Sequence, residues 1–356
     1  MISKNTTTPA TATNTDPFLP TSLGASGLKT SKLWLGTMMF GDQTDEAEAA
    51  RMVGAARDAG VNAIDTADVY AGGESERITG RLIAADRDRW VLATKLGNAT
   101  GTLANERGLS RLHMVRALDA SLARLGTDWV DILYLHREDE TTPLEETVAA
   151  IKHLIETGKV HYFGISNFRA WRVARIAELC RAARLQPPIV CQPPYNAMSR
   201  AIETELLPCC DHYGIGVVAY SPFARGVLSG KYAAGEAPPA GSRAARNDMR
   251  ILQTEFRPES LALAQRVVDH ARARAMTPLQ FALGWVWNNA LVHGVIGGPK
   301  TLAQWQDYLV AGSVRFSAED ETLVDSLVAP GHASTPGYTD PQYPVTGRRP
   351  RSSRAD

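Results

Sequence analysis

Four side chains that can share a proton fall at or shortly after the ends of apolar runs. Asp65 closes the run NAID, and Tyr70 follows five residues later on a turn-rich stretch containing Gly72 and Gly73. Lys95 closes WVLATK and His136 closes DILYLH. An ammonium beside a phenol favours the phenolate and lowers a pKa that is ordinarily about 10. That would suit Tyr70 to donate a proton near neutral pH, with Asp65 pairing with Lys95 and His136 hydrogen-bonding a substrate carbonyl. The set contains no electrophile and no metal cage, so the phenol would act as general acid while something else delivers electrons. Plainer readings exist for each residue: Asp65 as a helix cap, Lys95 reaching solvent from a strand end, His136 as a satisfied core histidine. An acid, a lysine and a histidine on three neighbouring strand ends would then have to converge by accident.

The elements that must position these groups are eight short apolar runs separated by amphipathic segments, the pattern of parallel strands joined by helices. They are LWLGT at 33, NAID at 62, WVLATK at 90, DILYLH at 131, YFGIS at 162, IVCQ at 189, IGVVAYS at 215 and GVIGG at 294. Helix ends are legible between them. Ser110 is placed to cap a helix whose apolar face runs through Leu112, Val115, Leu118, Leu122 and Leu125 and which Gly126 stops. A second helix has Thr142 as cap, Pro143 in the first position, Glu145 to close a capping box and Gly158 at its end. Eight such units predict a single closed (β/α)8 TIM barrel over 21–328, preceded by a disordered Thr-rich arm at 1–20 and followed by a tail at 329–356. The gap from 222 to 293 predicts a large loop over the barrel mouth and at least one extra helix. In the tail, Tyr338 and Tyr343 either fold over the mouth or are disordered.

In such a barrel the site lies at the carboxyl ends of the strands. There the polar endings collect: Asp65, Lys95, His136, Ser166 with Asn167, Gln192 and Ser221. Lys+Arg and Asp+Glu both number 38, so nothing advertises nucleic acid or an acidic membrane. No apolar run approaches the roughly 20 residues that span a bilayer. Cys180, Cys191, Cys209 and Cys210 show neither a disulfide nor a zinc spacing, which fits a reducing cytoplasm. There is no GxxxxGK[ST], HExxH, GxSxG or Tyr-x-x-x-Lys. The segment GIGVVA at 214–219 enters a strand instead of leaving one, so it is read as a tight turn and not a dinucleotide fingerprint. Met38, Phe40, Trp129 and Phe223 suit a pocket or ordinary packing equally.

NAIDTADVYAGGESE, WVLATKLG, DILYLHRED, GISNF and VAYSPFARGVLSGKY, in that order, resemble the aldo-keto reductase superfamily. The branch is the one that also contains the voltage-gated potassium-channel β-subunits, and the resemblance covers about 21–328. It implies a catalytic tetrad of Asp65, Tyr70, Lys95 and His136, with Tyr70 the proton donor and NADPH, NADP(H) being the cofactor, bound without a Rossmann domain. The substrate it implies is a small-molecule aldehyde or ketone. Thr37, Met38 and Gln43 would stand at the barrel entrance near Asp65. Ser166, Asn167 and Gln192 match the groups that hold the nicotinamide carboxamide, and Tyr220 the aromatic stacked on its ring. Ser221, Pro222, Phe223, Arg225 and Lys231 match the pyrophosphate segment. In GGPKTLAQWQDYL, Gly298 and Lys300 would approach the 2′-phosphate, with Gln304 and Asp307 further along, and a glycine turn opening a helix is itself an anion site. Two positions depart from the family pattern: Gly297 stands where Pro is frequent, and Tyr308 where Asn often meets the adenine. The alternative function is a nicotinamide-binding, redox-sensing subunit of a partner protein.

Overall fold

The eight apolar runs form eight parallel strands of one closed barrel. The computed structural model describes residues 18–346 other than 312, 313 and 315. The arm expected at 1–20 therefore lies outside the described residues from 1 to 17, as does the end of the tail from 347 to 356. A short hairpin, β1 (Thr21–Ser22) and β2 (Lys29–Thr30), precedes the barrel. The barrel strands are β3 (Leu33–Gly36), β4 (Ala63–Asp65), β5 (Val91–Leu96), β6 (Val130–Leu135), β7 (Val160–Ser166), β8 (Val190–Gln192), β9 (Gly216–Ala219) and β10 (Gly294–Gly297). Each pairs with its neighbours in chain order, and β10 closes the ring by pairing with both β9 and β3.

Because side chains alternate across a strand, each run divides between two cores. Leu33, Leu35, Ile64, Leu92, Leu133, Leu135 and Val217 face the surrounding helices. Trp34, Ala63, Ala93, Ile132, Tyr134, Val190, Val218 and Ile296 fill the interior, with Leu23 of the hairpin packed among them. Large and small residues are matched there. Gly164 lies beside Tyr134, whose ring carbons would stand 2.6–2.7 Å from any Cβ at that position. The interior is thus a packed plug, leaving only its upper layer open for chemistry.

The helices are α1 (Glu46–Asp58), α2 (Glu74–Ile83), α3 (Arg111–Leu125), α4 (Leu144–Glu156), α5 (Ala170–Ala182), α6 (Leu206–Tyr213), α7 (Met249–Gln253), α8 (Pro258–Ala273), α9 (Pro278–Asn288), α10 (Leu302–Ala311) and α11 (Ala318–Leu327). Ser110 caps α3 by accepting from the His113 N–H, and Gly126 ends it at φ 66°. Its inner face differs from the expected one: Leu112 is exposed, and His113, Met114, Ala117 and Ser121 are buried beside Leu118, Leu122 and Leu125. The start of α4 also differs. Pro143 is extended and occupies the cap position, while the Thr142 hydroxyl donates to Asp139 at 2.6 Å. Glu145 accepts from Arg175 instead of closing a capping box. A nearby carboxylate outcompetes the helix for the threonine.

The segment after β9 and the tail both cover the carboxyl ends of the strands. From that segment Arg246 donates to Gln43 in the connection after β3, and Arg250 forms a forked pair with Asp340 of the tail at 2.8 and 3.1 Å. Tyr338 stacks under Arg257, 3.8 Å from the guanidinium carbon to the ring centre, and donates to the Gln253 carbonyl. Arg169 holds the Pro344 carbonyl at 2.9 Å. No described helix is long and apolar enough to cross a membrane.

Helix α2 rests on the end of α3 through Gly80. A Cβ there would lie 2.6 Å from the Leu125 carbonyl carbon, and backbone cannot give way as a flexible side chain can. Gly80→Ala should therefore destabilise the protein by about 1–3 kcal/mol, although alanine is the better helix former. Urea unfolding of the two proteins checks this; equal or greater stability of the variant would show that α2 stands further from α3.

Candidate active site

Strand parity puts the polar endings together. Asp65 shares its face with Ala63, Lys95 with Ala93, His136 with Tyr134, Ser166 with Gly164, Gln192 with Val190, Tyr220 with Val218 and Gly298 with Ile296, so each is the next inward position above the packed plug. Lys95 is fully buried. Its ammonium donates to an Asp65 carboxylate oxygen, to the Thr66 carbonyl at 2.8 Å and to the Tyr70 hydroxyl at 3.2 Å. The other Asp65 oxygen accepts from the Gln192 amide at 2.9 Å. Tyr70 stands edge-on to His136, with ring centres 6.1 Å apart. The backbone that carries Tyr70 turns through Ala71, Gly72 and Gly73, all at positive φ, which explains the paired glycines and leaves Ala71 strained.

Burial dominates the electrostatics. It pulls the Lys95 ammonium down, but the Asp65 charge and the Tyr70 contact outweigh it, so the pKa is raised and the lysine is charged. Burial raises Asp65 against the pull of Lys95 and Gln192. Tyr70 reverses the expected sign: desolvation raises its pKa more than Lys95 lowers it, and Asp65 adds to the rise. The phenol is therefore held protonated at neutral pH. His136 is driven down to about 3 by burial, Lys95 and Arg137, so its imidazole is neutral, and its buried Nδ1 has no hydrogen-bond partner among the described residues.

Beside this centre, the Asn167 amide donates to the Ser166 hydroxyl and the His136 carbonyl, both at 3.0 Å, and its oxygen accepts from the Tyr220 hydroxyl at 2.8 Å. Ser166 donates to the Gln192 carbonyl. Thr37 is buried and its hydroxyl is engaged by the Asp65 carbonyl and Ser75, so it props the strand end. Met38 is 40% exposed and Gln43 lies on the rim. Past β9, Ser221, Ala224, Arg225 and Gly226 all have positive φ, a tight curl held by Arg225 to Glu255 and Thr254 and by Asn196 to the Ser221 carbonyl. Pro222 and Phe223 are buried there, and Phe40 belongs to the outer core. Trp129 stacks on His161 and Arg87 and takes no part in the site.

The β10–α10 turn carries the remaining expected residues. Lys300 is partly buried and its pKa falls to about 8, through burial first and then the charges of Arg246, Arg243 and Lys231. Four cations thus crowd one another with little acid to relieve them, a set suited to an anion. Arg250 does not join them because Asp340 holds it. Gln304 accepts from the Lys300 N–H, and Asp307 is exposed on α10. Tyr308 is buried, receives the Gly298 N–H at 3.3 Å and packs on Phe223, ring centres 4.6 Å apart. The two departures from the family pattern explain each other, because a Cβ at Gly297 would meet the Tyr308 and Trp305 rings at 2.9 Å. The orphaned His136 nitrogen and the crowded cations fit a cofactor that carries an amide-bearing ring at one end and phosphates at the other.

Sequence reasoning missed the acid cluster behind Lys95. Glu76 is fully buried and accepts from Arg124 and from Thr94, each at 2.6 Å. Asp68 is 4% exposed and neither of its oxygens has a hydrogen-bond partner among the described residues. Glu76 had a signal in the sequence, since it sits on the same helical face as Thr79, Gly80 and Ile83. Asp68 had none.

Comparison with known proteins agrees with this architecture. The profile of the aldo/keto reductase family matches residues 32–329. A probable voltage-gated potassium channel subunit beta of Oryza sativa subsp. japonica is 39% identical over 282 residues, covering 78% of this chain and 86% of the relative. A protein of Arabidopsis thaliana with the same description is 38% identical, covering 82% and 90%. An uncharacterized oxidoreductase of Bacillus subtilis, YrpG, is 33% identical, covering 89% and 98%. With an eight-stranded barrel, a buried Asp65–Lys95–Tyr70 contact at its mouth and these matches along most of its length, the chain belongs to the aldo/keto reductase family.

Proposed function

We propose that this protein is an NADPH-dependent reductase of aldehydes or ketones, working in reverse on the corresponding alcohols. The observation that carries the proposal is the Lys95 ammonium shared between Asp65 and the Tyr70 hydroxyl, beside a neutral His136. When bound, the reduced nicotinamide supplies a hydride to the carbonyl carbon. Tyr70 transfers its Oη proton to the carbonyl oxygen, and the resulting phenolate faces Lys95, whose charge stabilises it most at that moment. Asp65 keeps Lys95 ionised, and Gln192 holds Asp65 in place. The neutral imidazole of His136 can hydrogen-bond the carbonyl without competing as an acid. Ser166, Asn167 and Tyr220 would hold the nicotinamide end, the curl from Ser221 to Arg225 the pyrophosphate, and Lys300 with Arg243, Arg246 and Lys231 the 2′-phosphate.

The descriptions of the plant relatives favour a second reading, a nicotinamide-binding subunit of a membrane channel. Turnover separates the two. Purified protein should oxidise NADPH in the presence of members of a broad aldehyde and ketone panel. Binding of NADPH with no turnover above background would favour the subunit. Tyr70→Phe removes one oxygen and should bind NADPH as before while reducing carbonyls about 10²- to 10⁴-fold more slowly. Wild-type rates in that variant would remove Tyr70 from the mechanism.

Lys300 gives the coenzyme choice a pH dependence. A phosphate beside it raises its pKa from about 8, so binding takes up a proton, and affinity for NADPH is full below that value and falls as pH rises through it. NADH lacks that phosphate, so its affinity should change little. Lys300→Ala should weaken NADPH by about tenfold or more, the equivalent of about 1.5–3 kcal/mol for a charge-assisted contact, and flatten the pH dependence. Calorimetric titration of both coenzymes at pH 7 and pH 9 tests this, and equal losses for the two would place the 2′-phosphate elsewhere.

A further inference from the structure

Asp68 lies between the catalytic carboxylate and the phenol in sequence, three residues after Asp65 and two before Tyr70. Its backbone N–H is bonded to the Lys95 carbonyl, which fixes the loop against β5. The side chain is almost wholly enclosed, yet neither oxygen has a hydrogen-bond partner of ordinary geometry among the described residues, with the Val69 N–H near enough to favour the charged form. A buried carboxylate without donors is costly, whereas the neutral acid is much less so. The charges around it come from three elements: Glu76 on α2, Lys95 on β5 and Arg124 on α3. On its own loop stand Asp65 and Tyr70, and the charge of Asp68 acts on Tyr70 in turn.

These charges balance in one protonation state. With Asp68 neutral, Asp65 and Glu76 are matched by Lys95 and Arg124. Ionised Asp68 leaves the enclosed cluster with one negative charge in excess before Tyr70 has released anything. Loss of the Tyr70 proton adds another.

We propose that Asp68 is a positioning residue whose protonation sets the charge balance against which Tyr70 releases its proton. The inference rests on the reductase reading above. Burial first, then the Glu76 charge, raise the Asp68 carboxyl to about 7, against the pull of Arg124 and Lys95. Below that pH the acid is neutral and Tyr70 gives up its proton most readily. As pH rises through it, the new charge raises the phenol's pKa and reduction slows. Asp68 touches neither substrate nor cofactor in this role; it acts through Tyr70 and Lys95.

The experiment has two arms on the full chain. In the first, the protein labelled with 13C at the aspartate carboxyls is titrated by NMR without cofactor, and the Asp68 signal is identified by its loss in Asp68→Asn. Its midpoint should fall near pH 7, move down in Glu76→Gln and move up in Lys95→Met. A midpoint near the ordinary aspartate value of about 4, or one that neither substitution moves, overturns the proposal. In the second arm the pH profile of single-turnover carbonyl reduction is recorded. Wild type should lose rate through the same midpoint, Asp68→Asn should lack that inflection, and Asp68→Glu should restore one. An inflection kept in Asp68→Asn also overturns the proposal. If the protein reduces no carbonyl at all, the reductase reading fails while the NMR midpoint still decides the charge coupling, and if Asp68→Asn does not fold, Asp68→Glu, which also removes that aspartate signal, identifies it and the Glu76→Gln and Lys95→Met shifts decide it.

Discussion

A lysine with no exposure to water is the constraint around which this molecule is arranged. A buried ammonium is tolerable only if anions and hydrogen-bond acceptors surround it. Lys95 finds Asp65, the Thr66 carbonyl and Tyr70. Asp65 needs its own second partner and finds it in Gln192, four strands further along the ring from β4. Satisfying one charge therefore pins strands from opposite sides of the barrel to a common height. The Lys95–Tyr70 contact is the by-product of that satisfaction, because the third donor position of the ammonium is left pointing at the phenol.

How much of this was legible in the sequence depends on the range of the signal. Strands buried on both faces read as continuous apolar runs, and all eight were placed. The polar endings were legible because parity carries a side chain inward at every second residue, so Asp65, Lys95 and His136 could be assigned to one face. Ser110 was readable as a cap because its hydroxyl is used locally, by the His113 N–H three residues on. Thr142 was not, since Asp139 captures its hydroxyl in a turn that leaves no local mark. Leu112 is apolar yet points outward, while His113 and Ser121 are polar and buried, so composition alone misplaced the inner face of α3 by a fraction of a turn.

Electrostatic signs were harder than positions. An ammonium beside a phenol lowers its pKa, but the sequence does not report how much water is removed, and desolvation turned the balance at Tyr70. The acid cluster of Asp68 and Glu76 was invisible for a related reason: carboxylates in a polar-looking turn are normally solvated, and only the packing of α2 on α3 encloses these. Lys300 was legible as a candidate anion contact from the glycine turn that opens α10, whereas Arg243 and Arg246 come beside it only through the fold. Arg250 belongs instead to the tail, whose path over the mouth depends on contacts with residues 90 positions away.

The ring is closed by its first and last strands, and the turn beyond β10 is fastened to the opening of α1 through Thr44 to the Lys300 carbonyl and Glu48 to the Leu302 N–H. On the ribosome this sets an order of events. By the time β9 is made, every strand of the Asp65–Lys95–His136 constellation is present, but the sheet is an open fan whose β3 and β9 edges have no partner. Only the arrival of β10, where about a sixth of the chain is still to come, seals the fan and creates the Lys300 turn. A chain that stops short of β10 would therefore lack the Lys300 turn and present two bare strand edges for pairing with other chains.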